Sequence, residues 1–582
     1  MDRVNQKYKI INMVKNKLSQ LRSLFQESNI NGYILSTQDE YLSEYPPACS
    51  KRLEYLSGFS GSNGLVIILE NTILFFTDGR YFTQATQELD SNLFQIFDQK
   101  LLVNFTWENY IHKDEVIAYD PEIFTNRSLL LFKTFNLKPI QGNLVDKIWI
   151  NRPPKPSSKI YNYYSTFTGE KRSKKFTRCH NFLEIHNAEA LVITNPEILC
   201  WLFNIRGLDI EFSPIVLANG LITKNKACLF ADISRLDSKL SGITIMPKDS
   251  FVEVIQNQQG KILFDDNLCS KYISDLIKNK EHQLIVDPCL LWKACKNPVE
   301  INNMIEGHVV DAVAVIEFLS FLTNNDLNNY SEYDLGVKLT ELRAKGCNYI
   351  ADSFPTIIGF KENGAIIHYR ALQNYSKKII GDGLLLIDSG GQYLGATTDI
   401  TRVFSIGKPK NNHQVYYTKI LKGHLALAMI KFPKASITGA NLDILARQFL
   451  WQGGDDYPHG TGHGVGSFSS VHEGPQNISL SSYNIKFASG MVVSNEPGFY
   501  VAGDFGIRIE NLMYVKNSTS PGFLEFNMLT LVPYEKNLIK WKMLNNNELE
   551  YLFKYYKLIE KRIMPHLSKQ ARKWLQNQLK IY

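Results

Sequence analysis

No stretch of this 582-residue chain is apolar for long enough to cross a bilayer. Its longest apolar runs, such as Leu65–Leu69 and Leu384–Ile387, are strand-sized, whereas a spanning helix needs about 20 residues. The opening residues, MDRVNQKYKIINMVKNKL, have neither the apolar centre nor the small-residue cleavage site of a secretory leader. They read as an amphipathic helix, and a cytoplasmic location is expected. Cysteine is sparse: eight, at positions 49, 179, 200, 228, 269, 289, 295 and 347, with no CxxC pair. That spacing excludes a zinc ribbon and predicts reduced, structural thiols. Charge of one sign is lacking as well. Sixty-four basic residues face 57 acidic ones, a net of +7. That is mild for the length, so neither nucleic acid nor a membrane is an expected partner. The one basic word, KRSKK at Lys171–Lys175, reads as a solvated loop.

What is present is an ordinary globular composition, 44% apolar and 21% charged, in a chain too long for one core. Three regions emerge: 1–150, 151–296 and 297–582. Pro153, Pro154 and Pro156 mark a stiff linker after the first. The second reads as a copy of the first. GYILSTQDEY at Gly32 matches ALVITNPEIL at Ala190, and LEYLSGFSG at Leu53 matches LCWLFNIRG at Leu199. An offset of about 155 residues suits domain duplication better than a solenoid. Each copy alternates apolar runs with helical stretches, predicting two α/β domains.

The third region opens with helices over EINNMIEGHVVDAVAVIEFLSFLTNN and SEYDLGVKLTELRAKG. Strands are expected in SFPTIIGF, AIIHYR, GLLLIDSG, QYLGATTDITRVFS, MVVSNEPGFY, GIRIENLMYV and MLTLVPY. With two intervening helices they predict an α+β domain on a mostly antiparallel sheet. Two amphipathic helices are expected after Asn545.

Five residues here have no purpose in a packed core: Asp388, Asp399, His463, Glu496 and Glu510. Buried, unpaired carboxylates cost several kcal/mol each. Around two divalent cations they become sensible, since hard carboxylate oxygens and one imidazole suit Mn²⁺, Co²⁺, Fe²⁺ or Zn²⁺. Asp388 and Asp399 fall on strands of an expected hairpin. HGTGHGVG is too glycine-rich for a helix and predicts a tight loop that approaches a ligand closely. His459, His463 and His472 lie within fourteen residues, a cluster that favours function over packing. Glu496 and Glu510 each end an apolar strand and need a counter-charge. Arg402 and Arg508 are candidates, so an ion-pair network is the alternative to a metal site.

The order D, D, H, E, E, at spacings of 11, 64, 33 and 14, resembles the dinuclear metallopeptidases of the creatinase and methionine aminopeptidase superfamily, with the pita-bread fold. The words SFPTIIGFKENGAIIHY, LIDSGGQYLGATTDITR, HGTGHGVGSFSSVHEGP, EPGFY, FGIRIEN and LTLVP resemble one branch, the Xaa-Pro aminopeptidases (aminopeptidase P). TQDEYLSEYPPACSKRLEYLSGFSGS and FFTDGRYFTQATQELDSN resemble the N-terminal domain of its long, three-domain form. The resemblance covers nearly the whole chain. It implies two creatinase-type α/β domains followed by a pita-bread catalytic domain, and release of the N-terminal residue from peptides with proline second.

Position by position, the resemblance implies that Asp399 and Glu510 bridge two metals. Asp388 completes one site, and His463 and Glu496 complete the other. Manganese is the expected metal, with Co²⁺ or Zn²⁺ compatible. A metal-bridging hydroxide attacks the peptide, with Glu496 as proton shuttle. His368, His459 and His472 match non-ligand catalytic histidines that meet the substrate carbonyl and the proline nitrogen. Arg80, in DGRYF, is implied in selecting longer peptides, though a plain strand-to-helix turn capped by Asp78 explains that word as well. A homodimer through the C-terminal domain is also implied. Asn495, Asn527-Met528 and Gly391 depart from the usual residues without touching a ligand. The alternatives are a prolidase confined to Xaa-Pro dipeptides and a non-catalytic pita-bread binding protein, which typically loses ligands that this chain keeps.

Overall fold

The computed structural model describes residues 2–482 and 484–580. In the expected N-terminal helix, α1 (Asp2–Ser28), Val14, Leu18, Leu21 and Phe25 recur at helical intervals and are buried. The side chains up to residue 10 lie outside the described residues. The chain forms two compact units: Met1–Tyr163 with Glu170–Glu211 and Ile215–Asp287, and Pro288–Tyr582 with Tyr164–Gly169 and Phe212–Pro214.

The first unit holds two six-stranded sheets. One is built from β1 (Gly32–Ser36), β2 (Leu65–Leu69), β3 (Ile73–Thr77), β4 (Gln95–Asp98), β5 (Val116–Tyr119) and β6 (Asn136–Pro139), in the order β4-β3-β2-β1-β5-β6. The other uses β7 (Ala190–Ile193), β8 (Asn219–Thr223), β9 (Ala227–Phe230), β10 (Thr244–Met246), β11 (Ile262–Phe264) and β12 (His282–Leu284), in the order β10-β9-β8-β7-β11-β12. Strand order and directions agree between the two. β1 pairs antiparallel with β2 and parallel with β5, as β7 does with β8 and β11. β1 and β7 are buried at every residue, which is why their sequences are continuous apolar runs rather than alternating ones.

The second unit starts with α2 (Pro298–Asn324). NPVE supplies its start: the Asn297 side chain accepts from the backbone of Val299 and Glu300, and Glu300 accepts from Asn297 N–H at 3.0 Å. α3 (Glu332–Arg343) is capped in the same way by Ser331 and Asp334. β13 (Ile357–Phe360), β14 (Gly383–Ser389) and β15 (Ile400–Ile406) form an antiparallel sheet in which Asp388 stands opposite Thr401. After α4 (Asn411–Met429) and α5 (Gly439–Trp451) come β16 (Val492–Asn495), the hairpin β17 (Gly498–Val501) and β18 (Phe505–Arg508), and the pair β19 (Asn511–Asn517) and β20 (Phe523–Met528). Every described pairing between strands of this unit is antiparallel, spread over several small sheets rather than one. The C-terminal helices α6 (Asn546–Arg562) and α7 (Lys569–Gln578) turn Leu552, Ile559, Trp574 and Leu575 into the core that also holds α2 and β14.

Four local expectations are corrected. AIIHYR is not a strand: Lys361–Ala365 forms a 3-10 turn, and Tyr369 N–H closes a second turn on Ile366 O. MLTLVPY leaves the sheet after Met528, because Arg402 and Tyr555 side chains take the Val532 carbonyl that a neighbouring strand would use. KRSKK opens the helix Arg172–Ile185, where Lys175 is buried and donates to Trp201 O and Asn204 Oδ1, both at 2.8 Å. Asp78 closes a turn on Arg80 N–H at 2.9 Å, while Tyr81 is the N-cap of the following helix.

Candidate metal centre

All five of the acidic and histidine positions lie in the second unit, at or next to strand ends, where rigid backbone aims side chains. Asp388 lies near the end of β14, and Asp399 directly precedes β15. Glu496 follows β16, and Glu510 precedes β19. His463 sits in a two-residue bridge with Asn477–Ile478. The glycines around it serve packing of chain against chain, where the sequence reading expects approach to a ligand. A Cβ on Gly462 would stand 2.1 Å from Ser494 O, and one on Gly464 1.9 Å from Glu473 O.

The donors converge. Asp399, His463 and Glu510 each offer an atom within 4.8 Å of the others. His463 Nε2 lies 3.4 Å from Asp399 Oδ2 and 3.5 Å from Glu496 Oε1. Its Nδ1 lies 3.0 Å from Gly464 O, which assigns the proton to Nδ1 and leaves Nε2 as the face toward the carboxylates. Glu510 accepts from Thr401 Oγ1 at 2.7 Å, and Glu496 from Ser494 Oγ at 3.2 Å. Asp388 Oδ2 accepts from Arg508 Nη2 at 2.5 Å, while its other oxygen is buried with no hydrogen-bond partner among the described residues.

The ion-pair alternative fails on the count of cations. Arg402 spends its donors on the backbone oxygens of Thr401, Glu510, Val532 and Pro533 and on Asn511 Oδ1. Among the described residues, Arg508 is the guanidinium set against Asp388, Glu496 and Glu510. Burial, then the charges of Asp399, Glu496 and Asp388, push the Glu510 carboxyl well above its usual range. Burial likewise raises Asp388 to about 6, with Asp399 and Glu496 acting against Arg508. Burial works to lower the His463 imidazole. Its hydrogen bond to Asp399 and the charges of Glu496 and Asp399 outweigh that and push it up to about 9. An orphaned carboxylate oxygen, converging hard donors and uncompensated negative charge fit divalent cations.

Two more of the expected histidines flank the cluster. His459 Nε2 is 2.9 Å from Tyr500 OH, and its Nδ1 is 4.0 Å from Glu496 Oε2. The His472 ring stands edge-on to His463, with centroids 4.3 Å apart. His368 follows Ile367, whose carbonyl accepts from Arg508 Nη2 at 3.4 Å. Arg80 belongs to the first unit, paired with Asp78 at 2.7 Å and Glu44 at 3.9 Å. Sequence reasoning missed Tyr500, Thr401 and Ser494, since a single hydroxyl in a strand carries no pattern. Tyr500 takes a hydrogen bond from Arg508 Nη1 at 2.7 Å and so links His459 to the Arg508–Asp388 pair.

The antiparallel pairing and the acidic cluster agree with the pita-bread metallopeptidase expected from the sequence. The profile of metallopeptidase family M24 matches residues 302–517, and that of its C-terminal region matches 522–581. Creatinase/prolidase N-terminal domain profiles match 17–147 and 151–300. Over 97% of its length the chain is 36% identical to Xaa-Pro aminopeptidase 1 of Dictyostelium discoideum, covering 96% of that protein. It is 33% identical to the probable Xaa-Pro aminopeptidase P of Laccaria bicolor over 97% of this chain and 92% of that one. The crystal structure of X-prolyl aminopeptidase from Caenorhabditis elegans, a cytosolic enzyme with a di-nuclear active site, matches with a TM-score of 0.93 at 31% identity, over 98% of this chain and all of that one. The chain therefore belongs to metallopeptidase family M24, among its Xaa-Pro aminopeptidases.

Proposed function

We propose that the protein removes the N-terminal residue from peptides whose second residue is proline, and that Asp388, Asp399, His463, Glu496 and Glu510 hold two divalent cations for the reaction. The observation that carries this reading is the convergence of Asp399, Glu496 and Glu510 on the His463 imidazole, with Asp388 paired to Arg508 beside them. The two cations, when bound, polarise the scissile carbonyl and lower the pKa of water. Manganese is the proposed metal, supported by the mostly oxygen donor set.

The chain's own residues do the rest. Glu496, hydrogen-bonded by Ser494 Oγ at 3.2 Å, is placed to carry a proton as well as to bind. His459 stands 4.0 Å from Glu496, His472 stands against the His463 ring, and His368 follows Ile367, whose carbonyl Arg508 holds. Their proposed work is to hold the substrate carbonyl and to protonate the proline nitrogen, a tertiary amide in the substrate that leaves as a secondary amine. The surplus of carboxylates suits a free α-amino group, which accounts for an exopeptidase. Arg80 is proposed to help select longer peptides. If Arg80→Ala leaves kcat/KM unchanged for both tripeptides and longer substrates, that role is excluded.

The matching strand order of the two sheets supports duplication of one α/β domain, with boundaries near residues 150 and 296. A cytoplasmic location is proposed on the likeness to the cytosolic nematode enzyme. Homodimerisation through the C-terminal domain is proposed on the family resemblance, and sedimentation equilibrium tests it. The function is tested with Mn²⁺-loaded protein on an Xaa-Pro-Xaa tripeptide and the corresponding Xaa-Pro dipeptide. Release of the first residue from the tripeptide is expected. Cleavage of the dipeptide alone would mean a prolidase.

A further inference from the structure

The hydrogen bonds behind His459 converge on one ion pair of α5. Asp443 and Arg447, one helical turn apart, are both buried, and Arg447 Nε donates to Asp443 Oδ2 at 2.6 Å. Arg447 then spends its remaining donors on the segment that ends in His459. Nη1 reaches Asp456 Oδ1 at 2.7 Å and Tyr457 O at 2.8 Å, and Nη2 reaches His459 O at 2.6 Å. The guanidinium also lies 3.8 Å from the Tyr457 ring centroid. Asp443 Oδ1 accepts from Thr461 Oγ1 at 2.6 Å, and Thr461 O accepts from Glu496 N–H at 2.8 Å. A helix turn thus grips both sides of His459, with a separate arm for each.

A surface loop needs no such anchor. A buried charged pair costs desolvation, and replacing it with apolar residues is often neutral or stabilising. The planar fork of arginine makes several directed bonds at once, which the point charge of lysine does not. The donors here go to the Asp456 side chain and to the carbonyls of Tyr457 and of His459, a residue that must hold its ring in place against Tyr500 OH and Glu496.

We propose that Arg447 is a positioning residue for the peptidase reaction: seated by Asp443, it fixes the backbone of Tyr457 and His459 and thereby the His459 ring beside Glu496. This rests on the proposed role of His459. Arg447 reaches His459 at its backbone carbonyl, not at the ring offered to substrate in this reading.

The experiment compares full-length, Mn²⁺-loaded wild type, Arg447→Lys, His459→Gln and the double variant on an Xaa-Pro-Xaa peptide. Lysine keeps the cation opposite Asp443, so the Thr461 arm stays in place. Arg447→Lys is expected to lower kcat about 10- to 100-fold with KM changed less than about 3-fold, because a misplacement of about 1 Å costs that much. Bound metal per chain is expected to stay at the wild-type value. In the His459→Gln background, Arg447→Lys is expected to cost less than about 3-fold more, since residues acting as one unit are not additive. Full multiplication of the two losses, an unchanged kcat in Arg447→Lys, or a loss of metal instead of turnover would overturn the proposal. If Arg447→Lys does not fold, Asp443→Asn serves as the second variant, with the same cycle against His459→Gln deciding. Wild type that is metal-loaded yet inactive would instead sink the parent reading and is scored before the variants.

Discussion

Charge removed from water is matched in the first unit and left unmatched at one cluster of the second. In the first, Arg52 and Arg152 face Glu40 and Asp146, with Arg52 2.5 Å from Glu40 and 2.7 Å from Asp146, and Arg152 2.6 Å from Asp146. Two cations meet two anions, and Arg235 meets Asp209 at 2.6 Å in the same manner. In the second unit, Asp388, Asp399, Glu496 and Glu510 interact with one another, with Arg508 as the one guanidinium set against them among the described residues. The matched sets behave as structure. The unmatched set is a store of repulsion that only added positive charge relieves, and that separates a binding site from a fold's own ion pairs.

The sharpest way to break this comparison is to neutralise one charge on each side. Glu510→Gln is expected to lower peptidase activity about 10³-fold or more. In the metal-free protein it is expected to raise the thermal midpoint, because it removes a repelled, buried carboxylate. Calorimetry after chelation and peptide kinetics in Mn²⁺ read the two effects separately. Arg52→Met is expected to do the reverse. It leaves the half-buried Glu40 without its arginine while Asp146 keeps Arg152, and lowers stability by about 1–3 kcal/mol by denaturant titration, and metal binding by the folded fraction is expected to be unchanged.

A smaller test uses pH within the second unit. Glu473 is buried with Lys293 at 3.0 Å and Lys296 at 2.7 Å. Burial works to raise its carboxyl, but the two lysines outweigh that and hold it at about 2, below the ordinary 4.5. A depressed carboxyl contributes stability that is complete above its unfolded value and is lost as pH falls through the folded one. The stability gap between wild type and Glu473→Gln is therefore expected to be constant near neutrality and to shrink from about pH 4.5 toward pH 2. A gap that does not change with pH would mean that the lysines are not paired with Glu473.

How far the sequence carried these conclusions depended on the kind of signal. The two α/β sheets and the long helix were legible because continuous apolar runs and a long helical pattern are local signals, whereas the Asn297 cap of that helix was seen only in the fold. The five cluster residues were legible as chemistry that a core does not tolerate, and their grouping followed from flanking words. AIIHYR and MLTLVPY were misread because their β-rich composition says nothing of partners. Their backbone groups are taken by local turns or by side chains distant in sequence, Arg402 and Tyr555. Lys175 was misread since a lysine in a basic word gives no sign of the Trp201 and Asn204 acceptors waiting for it. Arg402 looked equivalent to Arg508 in sequence, and only the register of β14 and β15 separates their roles.

The central claim is that the unmatched carboxylates hold two divalent cations. Equilibrium dialysis against Mn²⁺ followed by elemental analysis tests it most directly. The account predicts two equivalents per wild-type chain and one or fewer in Glu510→Gln. No bound metal in folded wild type, or the same content in both proteins, would contradict it.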